Sequence, residues 1–314
     1  MINRDVIGMT PIPSPVVHIG WMDSGTAYLE HLTEADLSLL GPVVDSPPAE
    51  DASAYLRSHP ELVEEALGSS AAFELVLGGE VHDTLLVHAS PFLVFAVAVH
   101  RTVDELGRTT FVEERVTPRM RVPVFDAGQL REFGVDPARR YFMVEHLASY
   151  TRVMSGPVWT QRRGRWRRQR FSELDAPRLA ATLDAVPESD RPGIYRRLGD
   201  LALFLTGVFP DHSTARAVHP IELERLLRSL PDVAGSRPTL ADLEQLAGER
   251  GAEGLFEWLG PRWYRAAAER TPVAGLGRLL DDLATRFDQA RRFLNHLTDQ
   301  YLFPVRSRWF PAGQ

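Results

Sequence analysis

The segment QRRGRWRRQR, residues 161–170, places six arginines and a tryptophan in ten positions. Guanidinium groups grip carboxylates and phosphates through paired hydrogen bonds, and an indole offers a stacking face, so the segment suits docking to an anionic surface. Gly164 separates PVWTQRR from RWRRQRF, and a turn centred on Arg163–Gly164 predicts a hairpin near 157–171. That turn sets Gln161 opposite Trp166 and Trp159 opposite Arg168. Trp159, Trp166, Arg168 and Arg170 then share one face of a two-stranded ribbon, while Arg162, Arg163, Arg165 and Arg167 complete the cluster. An acidic protein surface is one partner of suitable chemistry. Single-stranded nucleic acid is another, through base stacking and phosphate contact. A structural use is equally compatible: Trp159 and Arg168 would stack as a cation–π pair, and the outward arginines would discourage edge-to-edge association.

A second set of polar residues interrupts apolar helical patterns. Asp200 falls within YRRLGDLALFLTGVF, four residues after Arg196 and three after Arg197. Arg291, Asn295 and Asp299 recur every four residues beside a leucine seam. If both stripes face inward, Asp200 pairs with Arg291 or Arg292. Arg196, Asp200, Arg291, Asn295 and Asp299 then line a ligand pocket between helices. Structural pairing or plain exposure to solvent would account for the same residues without a ligand.

The histidines give little sign of metal or acid–base chemistry. His100 and Asp104 share a helix face, but Glu145 and His146 are adjacent and point about 100° apart. His82 and His88 read as surface positions. The sequence contains no E-x-x-H, H-E-x-x-H or G-x-S-x-G motif. LVLGGEVHD lacks the spacing of a phosphate-binding loop. No metal and no cofactor are expected, and the reading leans away from an enzyme.

Composition narrows the field further. All 35 basic residues are arginine, and there is no cysteine, which excludes lysine Schiff bases, disulfides and thiolate nucleophiles. The net charge is −7; without the six arginines of 161–170, 29 basic residues face 42 acidic ones, a balance of −13. The positive charge is therefore concentrated, and the acidic background favours local docking over a nucleic-acid track. Pro11, Pro13 and Pro15 occupy the place of a signal-peptide core, and PFLVFAVAV, 91–99, is too short to span a bilayer. A cytoplasmic protein with no membrane partner is expected; the oligomeric state is open.

The elements that must position these groups are mostly helical. Periodicity and caps predict helices over 33–40 with Thr33 as cap, 60–78, 84–107 and 137–154. More are expected from Ser172, with Asp175 three residues later as a near capping box, and over 190–208, 220–229, 239–250, 253–270 and 275–302. In the last, Leu276, Leu280, Leu283, Phe287, Ala290, Leu294, Leu297 and Tyr301 alternate at spacings of four and three, as a seam packed in a bundle. Residues 109–125 read as extended, with prolines that suit an edge strand; 1–20 and 41–53 read as irregular. The expected architecture is mainly α, a multi-helix bundle with a small β element. It divides into a mixed region, 1–171, and a helical bundle, 172–314, or runs as one continuous domain.

YRRLGDLALFLTGVFPDH, 195–212, and ARRFLNHLTDQYLFP, 290–304, resemble segments of an actinobacterial protein family with no activity attached to it, over most of residues 90–314. The resemblance implies a bacterial cytosolic origin and assigns no functional residue. The leading expectation is a non-enzymatic cytosolic binding or regulatory protein whose Arg/Trp hairpin docks an acidic partner. The alternative is an enzyme or small-molecule sensor with a polar pocket between its C-terminal helices.

Overall fold

The computed structural model describes residues 24–44, 52–78, 89–117, 120–151, 155–162, 165–172, 174–209, 219–230 and 238–303. Of 115–117, 155–162 and 165–172 it describes the backbone. The chain is mainly α: fourteen α-helices and two antiparallel hairpins lie among the described residues. None of those helices is long and apolar enough to cross a membrane.

Helix starts follow local chemistry. After α1 (Ser24–Leu29), α2 (Glu34–Leu40) begins at a capping box in which Thr33 and Asp36 exchange side-chain and backbone bonds of 2.8 and 3.2 Å. Asp36 is fully buried because its other oxygen accepts from the Ser90 amide at 2.7 Å, tying α2 to the start of α6 (Pro91–Leu106). The expected 60–78 helix divides into α4 (Glu61–Gly68) and α5 (Ser70–Val76), with α3 (Ala52–Ser58) before it. Ser69 makes the break: its backbone is extended and its hydroxyl accepts from the Ala72 amide at 3.0 Å, so it starts the second helix. α6 buries every residue from Phe92 to His100, as an all-round apolar helix must.

Within 109–125 the chain forms two paired strands, not a lone extended segment. β1 (Val112–Thr117) pairs with β2 (Met120–Val124), Val112 opposite Val124 and Glu114 opposite Val122. α7 (Ala127–Val135) follows, a helix that periodicity did not predict, and then α8 (Pro137–Ser149), capped by Asp136. β3 (Ser155–Arg162) and β4 (Arg165–Ser172) form the second hairpin. Ser172 ends β4. The cap of α9 (Ala176–Ala181) is Asp175, which accepts from the Arg178 amide at 3.1 Å.

α10 (Arg191–Gly207) and α11 (Pro220–Ser229) fall close to expectation. α12 (Leu240–Arg270) joins the two helices expected at 239–250 and 253–270 across a kink at Gly251, whose φ of 66° favours glycine. The 275–302 helix bends at Arg286 (φ −105°, ψ 25°) into α13 (Ala274–Thr285) and α14 (Phe287–Leu297), and ends in a π turn, Thr298–Leu302. Its seam from Leu276 to Leu297 is buried, so it serves this chain's core. Buried side chains from Ala27 to Leu302 form one continuous cluster. α10 lies along α12 so closely that a Cβ on Gly199 would come within 2.6 Å of the Tyr264 ring.

Candidate functional site

The ribbon has the register that its turn implies. Trp159 pairs with Arg168, Gln161 with Trp166, Arg162 with Arg165 and Pro157 with Arg170. Arg163 and the side chains of Trp159, Arg162, Arg165, Trp166, Arg167, Arg168 and Arg170 lie outside the described residues. So does the expected stacking of Trp159 on Arg168.

The two polar stripes do not share a pocket. On α10, Arg196 donates to Glu145 of α8 at 3.2 Å and lies 3.6 Å from Asp200. Tyr264 of α12 donates its hydroxyl to the other Asp200 oxygen at 2.9 Å. The three charged side chains are 9–14% exposed, so each stands in a medium that penalises charge. Burial pushes the Glu145 and Asp200 carboxyls up, against the downward pull of Arg196. The Tyr264 phenol is also raised, by burial and by Asp200. Asp200 thus pairs with Arg196 and Tyr264, not with Arg291 or Arg292.

Neutral histidines border this network. His146 stacks on Phe142 with ring centroids 5.7 Å apart, and burial, reinforced by Arg197 and Arg196, pushes its pKa down to about 3. Arg197 lies 4.2 Å over the Tyr150 ring and donates to Ser149 at 3.0 Å. Among the described residues neither ring nitrogen of His146 meets a hydrogen-bond partner, nor does the buried Tyr141 hydroxyl. His100 is likewise held near 3 by burial, with Nε2 3.2 Å from the Tyr28 hydroxyl.

The second stripe serves α14 and the first hairpin. Arg291 reaches Asp288 at 2.8 Å, Glu257 at 3.1 Å and Glu114 at 3.5 Å. Arg292 grips both Asp126 oxygens, one at 2.7 Å, and its Nε lies 3.2 Å from Glu114. With its amide turned to satisfy both groups, Asn295 donates to the Gly207 carbonyl at 2.7 Å and accepts from Arg291 at 3.2 Å. Asp299 pairs with Arg121 of β2 at 2.8 Å. Gly207 is seven residues beyond Asp200, about 10 Å along the helix axis, and this separates the two networks.

Between β1 and the end of α14 a small groove remains. Val112, Glu113 and Glu114 form one wall; Arg292, Asn295, His296, Thr298, Asp299 and Phe303 form the other. Burial pushes the His296 imidazole down, which favours its neutral form. Among the described residues no group of three or more histidine, aspartate or glutamate side chains is placed to hold a metal. Sequence reasoning missed Glu114, Arg121, Asp126, Glu257 and Tyr264, each of which meets its partner across a long stretch of chain and carries no local signal. No family model, curated protein or solved structure matches this chain.

Proposed function

We propose that this is a non-enzymatic cytosolic binding or regulatory protein that docks an acidic protein surface through β3–β4. The observation that carries the reading is the concentration of six arginines on a hairpin of continuous register, within a chain otherwise balanced at −13. A regular ribbon presents its charges at fixed spacings, which limits the ordering cost of binding. Opposite potentials would also speed encounter with an acidic partner and weaken it in salt.

Replacing Arg165, Arg167, Arg168 and Arg170 together with serine should abolish capture of an acidic protein from host lysate. The thermal midpoint should stay nearly unchanged. Undiminished capture would overturn the proposal. Filter binding to single-stranded DNA and RNA at two salt concentrations separates it from a nucleic-acid role, since phosphate contacts weaken steeply as salt rises.

A small-molecule sensor with a polar pocket is the second reading. The groove between β1 and α14 favours it, because Thr298 beside it is 1% exposed and its hydroxyl has no partner among the described residues.

A further inference from the structure

We propose that the first part of α12, Leu240–Arg250, is a flap hinged at Gly251 that opens while the rest of the fold stays closed. The proposal is independent of the arginine ribbon and of the groove beside α14. Three observations lead to it.

The first is the contrast across the hinge. Of the eleven residues from Leu240 to Arg250, Leu243 alone is buried; Leu240, Leu246 and Ala247 are half-buried and the rest are exposed. Of the nineteen from Ala252 to Arg270, ten are buried, Trp263 and Tyr264 among them. An isolated helix shorter than about 12–15 residues is marginal in water, so the first part depends on its packing to stay helical. One buried leucine is a small anchor beside the surface that the second part buries.

The second is the joint. Gly251 has φ 66° and ψ −169°, a backbone that favours glycine, and among the described residues nothing lies within 4 Å of where its Cβ would stand. No packing from outside therefore holds the turn. Gly248, one turn earlier, has the same open space beside it. Alanine would fit there and strengthen the helix, whereas glycine weakens it with no steric return.

The third is a clasp across the joint. Arg250 folds back over the first turn of the second part, so closely that a Cβ on Gly254 would collide with its stem. Its guanidinium meets Glu257 at 2.6 Å, the two side chains being 55% and 20% exposed. The other Glu257 oxygen is held by Arg291 of α14 at 3.1 Å. An ion pair this open to water is weak, so it can break without disturbing the core. Opening releases Arg250, bares Leu243 and uncovers the edge of the core beneath it, while Glu257 stays with Arg291.

A freed flap loses the packing that keeps it helical, so its amides exchange with solvent each time it opens. The test is native-state hydrogen exchange on the full chain. Amides of Leu243–Arg250 should exchange together, at least about a hundredfold faster than those of Phe256–Ala266, with a step at the joint. Arg250→Ser should speed flap exchange about two- to fivefold, the scale of an exposed ion pair. Gly248→Ala should slow it about two- to fivefold, the scale of a glycine-to-alanine change within a helix. Both positions are exposed, so the thermal midpoint should stay nearly unchanged. Ordinary fraying would instead give a gradient, with protection rising steadily from Leu243 to Arg250. That gradient, flap exchange as slow as that of the second part, or rates that both variants leave unchanged would overturn the hinge.

Discussion

Arg196–Asp200 on α10 and Arg291–Asn295–Asp299 on α14 and its π turn share a four-residue spacing, yet they meet opposite fates. The first stripe points among three packed helices, where one guanidinium is shared by two carboxyls of raised pKa. The second reaches out to a hairpin and to Asp126, where several acids compete for each arginine and a groove stays open. The difference lies in the dielectric. In the core no charge can stand without a partner, because the alternative is a bare ion in a poorly polarisable medium. At the rim, water screens the surplus, so an exposed carboxylate such as Glu113 needs no partner of its own.

The largest effect should come from removing the shared cation of the core. Arg196→Met leaves Glu145 and Asp200 buried together and should cost about 3–5 kcal/mol in urea unfolding. A loss below about 1 kcal/mol, the level of a surface pair, would mean that both carboxyls are already protonated in the fold. Next comes the pair of hydroxyls. Tyr264→Phe strips Asp200 of its donor and should cost about 1–3 kcal/mol, whereas Thr298→Val should cost nothing. Equal losses would erase the distinction between the two stripes.

The pH dependence of stability should carry two opposing slopes. His146 and His100 take up protons near 6.5 when unfolded but only near 3 when folded. The unfolded state therefore binds more protons between those values, and stability falls as pH drops through that window. Glu145 and Asp200 act in the other direction. Their raised folded pKa values favour the fold at pH below their ordinary range, a contribution lost as pH rises through the folded values. His146→Phe should flatten the acid limb and Asp200→Asn the opposite one, read from urea midpoints between pH 3 and 8. An acid limb unchanged in His146→Phe would show that this imidazole does not stay neutral in the core. The smallest effect belongs to the rim: Arg121→Ser, which frees Asp299, should change stability by no more than about 1 kcal/mol.

Much of the scaffold was legible because it is local. Thr33 marks the start of α2 by residue type, and the helix expected from 239 does begin at Thr239. Gly164 with its flanking segments implied the register of β3–β4 in the same way. Local rules also misled. Ser172 and Asp175 have capping-box spacing, but pairing of Ser172 with Ser155 drew that residue into a strand. The apolar seam from Leu276 to Tyr301 held no sign of the bend at Arg286, since a modest kink leaves the buried face continuous. α7 escaped notice because AGQLREFGV contains two glycines and only a short apolar face.

The sequence by itself determined a mainly helical chain, where most helices begin, the alignment of the arginine ribbon and the faces on which Asp200 and Asn295 lie. These depend on intervals of a few residues, over which backbone geometry is nearly fixed. Tertiary structure alone decided what those faces meet. Arg196 finds Glu145 across 51 residues, Tyr264 finds Asp200 across 64, and Arg292 finds Asp126 across 166. Helical periodicity gives the direction of a side chain and no information about what another part of the chain places opposite it. That pairing is settled only when the whole apolar core closes, because burial is what makes an unmatched charge too costly to keep.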